Sequence, residues 1–153
     1  MATSTLIQYL ESVDGSGVAL SGEISHRRQV ETYLSGGAVT AGDVVMFDTS
    51  AAGAARALTV VQCANTATGE PRAAGVALDS AAGAGEKVRV VVAGYAEDVN
   101  SAAGVLLGEP LSAGKAAAGQ VENSAATDLA GPFGVALENE AGGTVDLMVF
   151  KRF

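Results

Sequence analysis

Few side chains in this sequence have the types and spacing that chemistry needs. His26 is the single histidine, set between Ser25 and Arg27-Arg28. A serine–histidine–carboxylate triad draws its members from separate positions, and neighbours along a helix or strand do not face one another. His26 therefore reads as an exposed residue of a polar linker. Cys63, the single cysteine, closes the run Val60-Val61-Gln62-Cys63. A reactive thiolate needs a basic neighbour; none is near in sequence, so Cys63 reads as a small buried hydrophobe. One His and one Cys build neither a four-ligand zinc site nor a disulfide framework. No metal or cofactor is expected.

Gly108 to Lys115 has the outline of a phosphate-binding loop, but its spacing is one residue too long, Ala116 stands where Ser or Thr is needed, and Pro110 interrupts it. Lys115 reads as a turn residue. No G-x-G-x-x-G opens a helix. Glu138 and Glu140 have the spacing of one side of a strand, as paired glycosidase carboxylates would, yet no Trp is present to stack a sugar. They read as a solvated acidic loop. The expectation is a protein that is not an enzyme, with no catalytic residues.

The elements that must carry these residues are short. The chain has 153 residues, enough for one domain, and 48% of them are apolar. The net charge is −8, which disfavours direct binding of nucleic acid, since phosphates call for a basic face. Apolar runs such as Val88–Ala93 are too short to span a bilayer, so no membrane partner is expected. Met1–Glu11 has neither a basic start nor a long apolar stretch, which points to synthesis in a reducing cytoplasm. Strand candidates are Gln29–Leu34, with Val30, Thr32 and Leu34 on one side, Val44–Phe47 after the turn at Gly42-Asp43, Ala57–Gln62, Gly75–Leu78, and Val88–Val92 ended by Gly94. The Ser-Ala-Ala-Gly tracts between them read as loops.

The second half of the chain echoes the first. Gly108-Glu109-Pro110-Leu111 follows Gly42-Asp43-Val44-Val45, Gly134-Val135-Ala136-Leu137 repeats Gly75-Val76-Ala77-Leu78 letter for letter, and Val145–Val149 matches Val88–Val92. The inward sets would be Val88, Val90 and Val92, and Val145, Leu147 and Val149. This predicts an all-β fold, a compact barrel or tulip-like body of two similar halves, repeated over about 39–94 and 104–151 within a single domain, 27–153. The last strand is apolar on both faces, with Met148 and Phe150 opposite Leu147 and Val149, and Phe153 ends the chain. Two coverings are open for the second face, a neighbouring subunit or a loop of the same chain.

Residues 1–26 form a separate zone. Thr5–Gln8 has the spacing of a capping box, Leu6, Tyr9, Leu10 and Val13 follow at helical period, and Asp14-Gly15 is a stop. Two turns of helix are marginal alone in water, so the zone is either a docked arm or a frayed terminus.

Val39–Val45, Gly75–Leu78 and Gly85–Gly94, with the closing Gly134–Glu138 and Val145–Phe150, resemble the small head decoration (cement) proteins of tailed bacteriophages. In that family a turn of the type T-x-G-D-x-V leads a strand, and G-V-A-L precedes a turn and a second strand. The resemblance covers about 29–150 and implies a mostly-β protein on the outer capsid surface of the virion, commonly a homotrimer at threefold and quasi-threefold positions. Its partner would be the major capsid protein. The longer N-terminal zone departs from the family pattern. As an extended arm it would bind the capsid through Leu6, Ile7, Tyr9 and Leu10, with Arg27 and Arg28 where arm meets body. Met148, Phe150 and Phe153 would lie at the subunit interface. The other functional class is a virion surface adhesion module for a host glycan or protein, which calls for an exposed aromatic cluster; with only three Tyr and four Phe, of which Tyr33, Phe47 and Phe150 fall in strand candidates, the sequence argues mildly against it.

Overall fold

In a computed structural model of the chain, residues 28–115, 117–128 and 130–150 are described. Among them lie nine strands, β1 (Arg28–Ser35), β2 (Val44–Phe47), β3 (Thr59–Gln62), β4 (Ala73–Ala77), β5 (Lys87–Asn100), β6 (Pro110–Ala113), β7 (Val121–Asn123), β8 (Gly134–Ala136) and β9 (Thr144–Val149), and a 3-10 turn at Gly53–Ala57. The protein is all-β, as the alternating short apolar runs predict.

The strands run in the order β1-β3-β2-β4-β5-β9-β8-β6-β7, and β5 also pairs with β1. The first five thus close into a barrel. Closure removes the exposed edges that an open sheet would present. Within it β1 and β3 are parallel, Leu34 beside Thr59, and every other pair is antiparallel. The far end of β5 pairs with β9, and β8, β6 and β7 follow. Ser101 then forms a parallel bridge to Val121 of β7. The pairing pattern recurs in the two sets: β2 lies between β3 and β4 as β6 lies between β7 and β8, and β4 pairs with β5 as β8 pairs with β9. The far end of β5 stands to the second set as β1 stands to the first.

The shared G-V-A-L motif has a steric cause. A Cβ on Gly75 would lie 2.2 Å from the Val91 carbonyl oxygen, and one on Gly134 would lie 2.5 Å from that of Met148. Real Cβ atoms do not approach so closely, so at both places only glycine lets the neighbouring strand pack. In each set the next two residues then pair in the same register, Val76 with Val91 and Ala77 with Val90, Val135 with Met148 and Ala136 with Leu147.

Two cores result. One fills the barrel with Tyr33, Val45, Val60, Ala74, Ala77, Val88, Val90 and Val92. The other lies between the barrel's outer wall and the second set, and joins Val44, Val76 and Val91 to Leu111, Val121, Phe133, Val145, Leu147 and Val149. Strands β2, β4 and β5 separate the two cores, and all five residues of β4 are buried. A strand covered on both faces needs small or β-branched residues throughout, which Ala73–Ala77 and Val88–Val92 supply. The two inward sets expected from alternation are buried, from Val88 at 0% to Val149 at 3% exposure.

Two expectations are corrected. Gly94 does not end its strand: at φ +94° it is the point where β5 leaves β1 and meets Val149 of β9, a backbone shape open to glycine. Ala57 belongs to the 3-10 turn, so β3 begins only at Thr59. Val30, Thr32 and Leu34 share a side of β1, as their alternation predicts; it is the outer side, and Tyr33 and Ser35 point inward. A barrel wall places every second residue inside, and here the aromatic ring wins the interior, where it packs edge-on against Phe47.

Candidate functional site

No catalytic constellation forms among the described residues. Cys63 is fully buried, just beyond β3, and its amide donates to the Val44 carbonyl. Lys115 follows Gly114, which has φ +63°, and its ammonium reaches the Asn123 carbonyl at 3.2 Å and Asp128 at 3.4 Å. The residues between Gly108 and Lys115 are mostly strand β6, which presents no phosphate cradle. Glu138 accepts the Asp146 amide at 3.1 Å, and Glu140 accepts the Gly143 amide at 2.7 Å. These carboxylates fasten turns. No group of three or more His, Cys, Asp or Glu among the described residues has the arrangement of a metal site.

The buried charges are also structural. Asp43, 3% exposed, accepts the Thr40 amide at 2.8 Å, Gln62 Nε2 at 3.0 Å and Asn100 Nδ2 at 2.8 Å. It ties the turn before β2 to β3 and to the end of β5. Glu70 is 1% exposed and takes the forked guanidinium of Arg72, Nε and Nη2 each at 2.7 Å. Hydrogen bonds from Arg72 hold the Glu70 carboxyl below its usual range. Hydrogen bonds from Arg89 likewise bring Asp79 down to about 2.

The surface offers interaction features instead. Arg28 begins β1, exposed, opposite Gly94. It lines an open cleft with Gly42, Leu78, Glu97 and Asp98, which pairs no nucleophile with a base. Met148 is half-buried within β9, and Phe150, just past its end, is 41% exposed. Val30, Leu34 and Leu58 project from the barrel wall, and Leu106, Leu107 and Leu137 from the second set. None of these six was singled out from sequence as a contact residue, because exposure of an apolar side chain depends on which face of a strand turns inward. Leu6, Ile7, Tyr9, Leu10, His26, Arg27 and Phe153 lie outside the described residues, as does the arm assigned to 1–26.

No family model matches the chain, and no curated protein matches it in sequence. A solved structure does match in shape: the N base of the head fiber gp8.5 of bacteriophage phi29. The two are 18% identical, with a TM-score of 0.53, over 81% of this chain and 95% of that one. The likeness is one of fold. It takes in nearly all of the fiber base.

Proposed function

We propose that this chain is a structural protein of a bacteriophage virion. It binds the outer surface of the capsid and stabilises the shell, as a trimer at threefold and quasi-threefold positions. The observation that carries this reading is the fold shared with the base of a phage head fiber, together with the sequence motifs that resemble head decoration proteins. The described surface is in keeping with it, because scattered exposed leucines, Val30 and Phe150 supply contact area and the buried charges serve the fold. No catalytic step is assigned to any residue.

Such a role needs a rigid body and several attachment points. Joining three bodies converts later contacts into intramolecular ones, so modest individual contacts give tight overall binding. Binding energy released only on the assembled shell stabilises that shell by mass action. The segment 1–26, with Leu6, Ile7, Tyr9 and Leu10, is the arm that reaches a neighbouring coat subunit, and Arg27 and Arg28 mark its junction with the body. Met148, Phe150 and Phe153 contribute to contacts between subunits.

Sedimentation of the purified chain with empty heads, built from the major capsid protein of the same genome, tests this. Saturable co-sedimentation is expected, and removing Met1–Val13 should weaken it tenfold or more, about 1.4 kcal/mol. A chain that stays in the supernatant at all concentrations contradicts the proposal. Aromatic-dependent binding to host cells without binding to heads would favour the adhesion reading.

A further inference from the structure

The turn that leads the first set of strands is built a second time, bond for bond. Thr40 N–H donates to Asp43 Oδ2 at 2.8 Å, and Leu106 N–H donates to Glu109 Oε2 at 2.9 Å. Ala41 N–H meets Ser80 Oγ at 2.9 Å, and Leu107 N–H meets Asn139 Oδ1 at 2.9 Å. Gly42 N–H bonds the Ala77 carbonyl at 2.8 Å, and Gly108 N–H bonds that of Ala136 at 2.9 Å. The two glycines have φ +87° and +82°. This turn therefore folds with Thr-Ala at its tip as well as with Leu-Leu, and the fold does not call for the leucines.

The surroundings of the two turns differ. Gly42 is buried: the bulge of β5 lies over it, so that a Cβ there would lie 2.6 Å from the Asp98 carbonyl oxygen. The Gly42 carbonyl accepts the Asn100 amide at 2.9 Å. Gly108 is exposed, and a Cβ there would meet nothing within 4 Å among the described residues. Among those residues the Gly108 carbonyl accepts no backbone amide. The bulged end of β5, with Asp98 at φ +49°, thus covers the first turn, and no described residue covers the same place on the second. Around that place Leu106 is 54%, Leu107 64% and Leu137 40% exposed. Glu109, Glu138 and Glu140 belong to the same pair of loops.

We infer that the Leu106–Gly108 turn, with Leu137, is a docking site for an extended segment of a partner protein that carries apolar residues flanked by Lys or Arg. The segment takes the place that Asp98–Asn100 hold on the first turn. Its amide donates to the Gly108 carbonyl, its apolar side chains cover the leucines, and its cations face the glutamates. A second copy is a poorer occupant, since it brings a net charge of −8 and the same glutamates. Anionic lipid is repelled for the same reason. That the partner is the capsid protein rests on the function proposed above; the site itself does not.

The test grafts the first tip onto the second, Leu106→Thr with Leu107→Ala in the full chain, which the first turn shows to be compatible with the bonding. Thermal unfolding should be little changed. An acetylated Lys-Val-Leu-Val-Lys peptide, followed by amide chemical shifts, should perturb residues 106–109 saturably in the unaltered protein. The perturbation should weaken at least tenfold in the double variant. Peptide shifts that are absent, or equal in both proteins, overturn the site. So does loss of self-association in the variant, which would give the turn to a second copy, or leucine-dependent binding to phosphatidylcholine vesicles. In parallel, the variant should bind empty heads at least tenfold more weakly. Equal head binding by both proteins overturns the assignment of this turn to the capsid contact and leaves the proposed function standing. Failure of the unaltered protein to bind heads overturns that function, while the peptide titration still decides the site.

Discussion

Gly75 and Gly134 show how a single missing atom fixes a fold. Each faces a carbonyl oxygen across a strand pair, so Gly75→Ala or Gly134→Ala must push β4 from β5 or β8 from β9. Overpacking of this kind costs about 1–3 kcal/mol, read as a lower urea midpoint. Gly37→Ala, where a Cβ meets no described residue within 4 Å, should fall within about 0.5 kcal/mol of the parent. Glu70 is the other sensitive residue. Arg72→Met would strip a buried carboxylate of its forked partner, and because Arg72 is partly solvated the cost is about 2 kcal/mol rather than the larger value of a fully buried pair. Acid acts on the same groups. The carboxyls of Glu70 and Asp79 titrate below their ordinary values in the folded protein. Their ionised forms therefore stabilise the fold at neutral pH, and that contribution fades as the pH falls from about the ordinary 3.8 of Asp79 toward 2. The melting temperature should drop through this window, and less steeply in Asp79→Asn.

At the scale of elements, β5 joins the two sets by running through Gly94. A side chain at φ +94° is strained, so Gly94→Ala should cost about 1–3 kcal/mol, measured by urea unfolding. The sequence states the strand alternation well where β-branched residues are dense: Val88–Val92 and Val145–Val149 reveal both the strands and their inward faces. It states β1 less well. Alternation groups Val30, Thr32 and Leu34 on one side and leaves open that Tyr33 takes the interior, because period-2 patterning identifies two faces without saying which turns inward. The end of β5 is misread for a related reason, since glycine marks both a stop and a bend. Strand β7, three residues in a polar stretch, carries too little pattern to be found alone. Among the candidate contact residues, Phe150 is legible as an apolar residue past the last strand. Leu106 and Leu107 become conspicuous only when the two turns are superposed in hydrogen bonding.

For the whole molecule, stability concentrates in the strands that separate the two cores. Among the described residues, the backbone amides of β2, β4 and the first half of β5 should exchange with solvent slowest, and those of the 3-10 turn Gly53–Ala57 much faster, because opening the middle layer exposes both cores at once. Such an organisation suits the structural role proposed above. The number of copies belongs to the same scale. Light scattering of the free protein should give the mass of a trimer, and a protein that stays monomeric even on heads would contradict that assembly.

Cryo-electron microscopy of empty heads incubated with the purified protein tests attachment to the outside of a phage head most directly. Added density is expected on the outer surface at threefold and quasi-threefold positions, into which the barrel and its second set of strands fit with the Leu106–Gly108 turn against the coat. Heads that gain no outer density at saturating protein, or gain it only inside the shell, would contradict it.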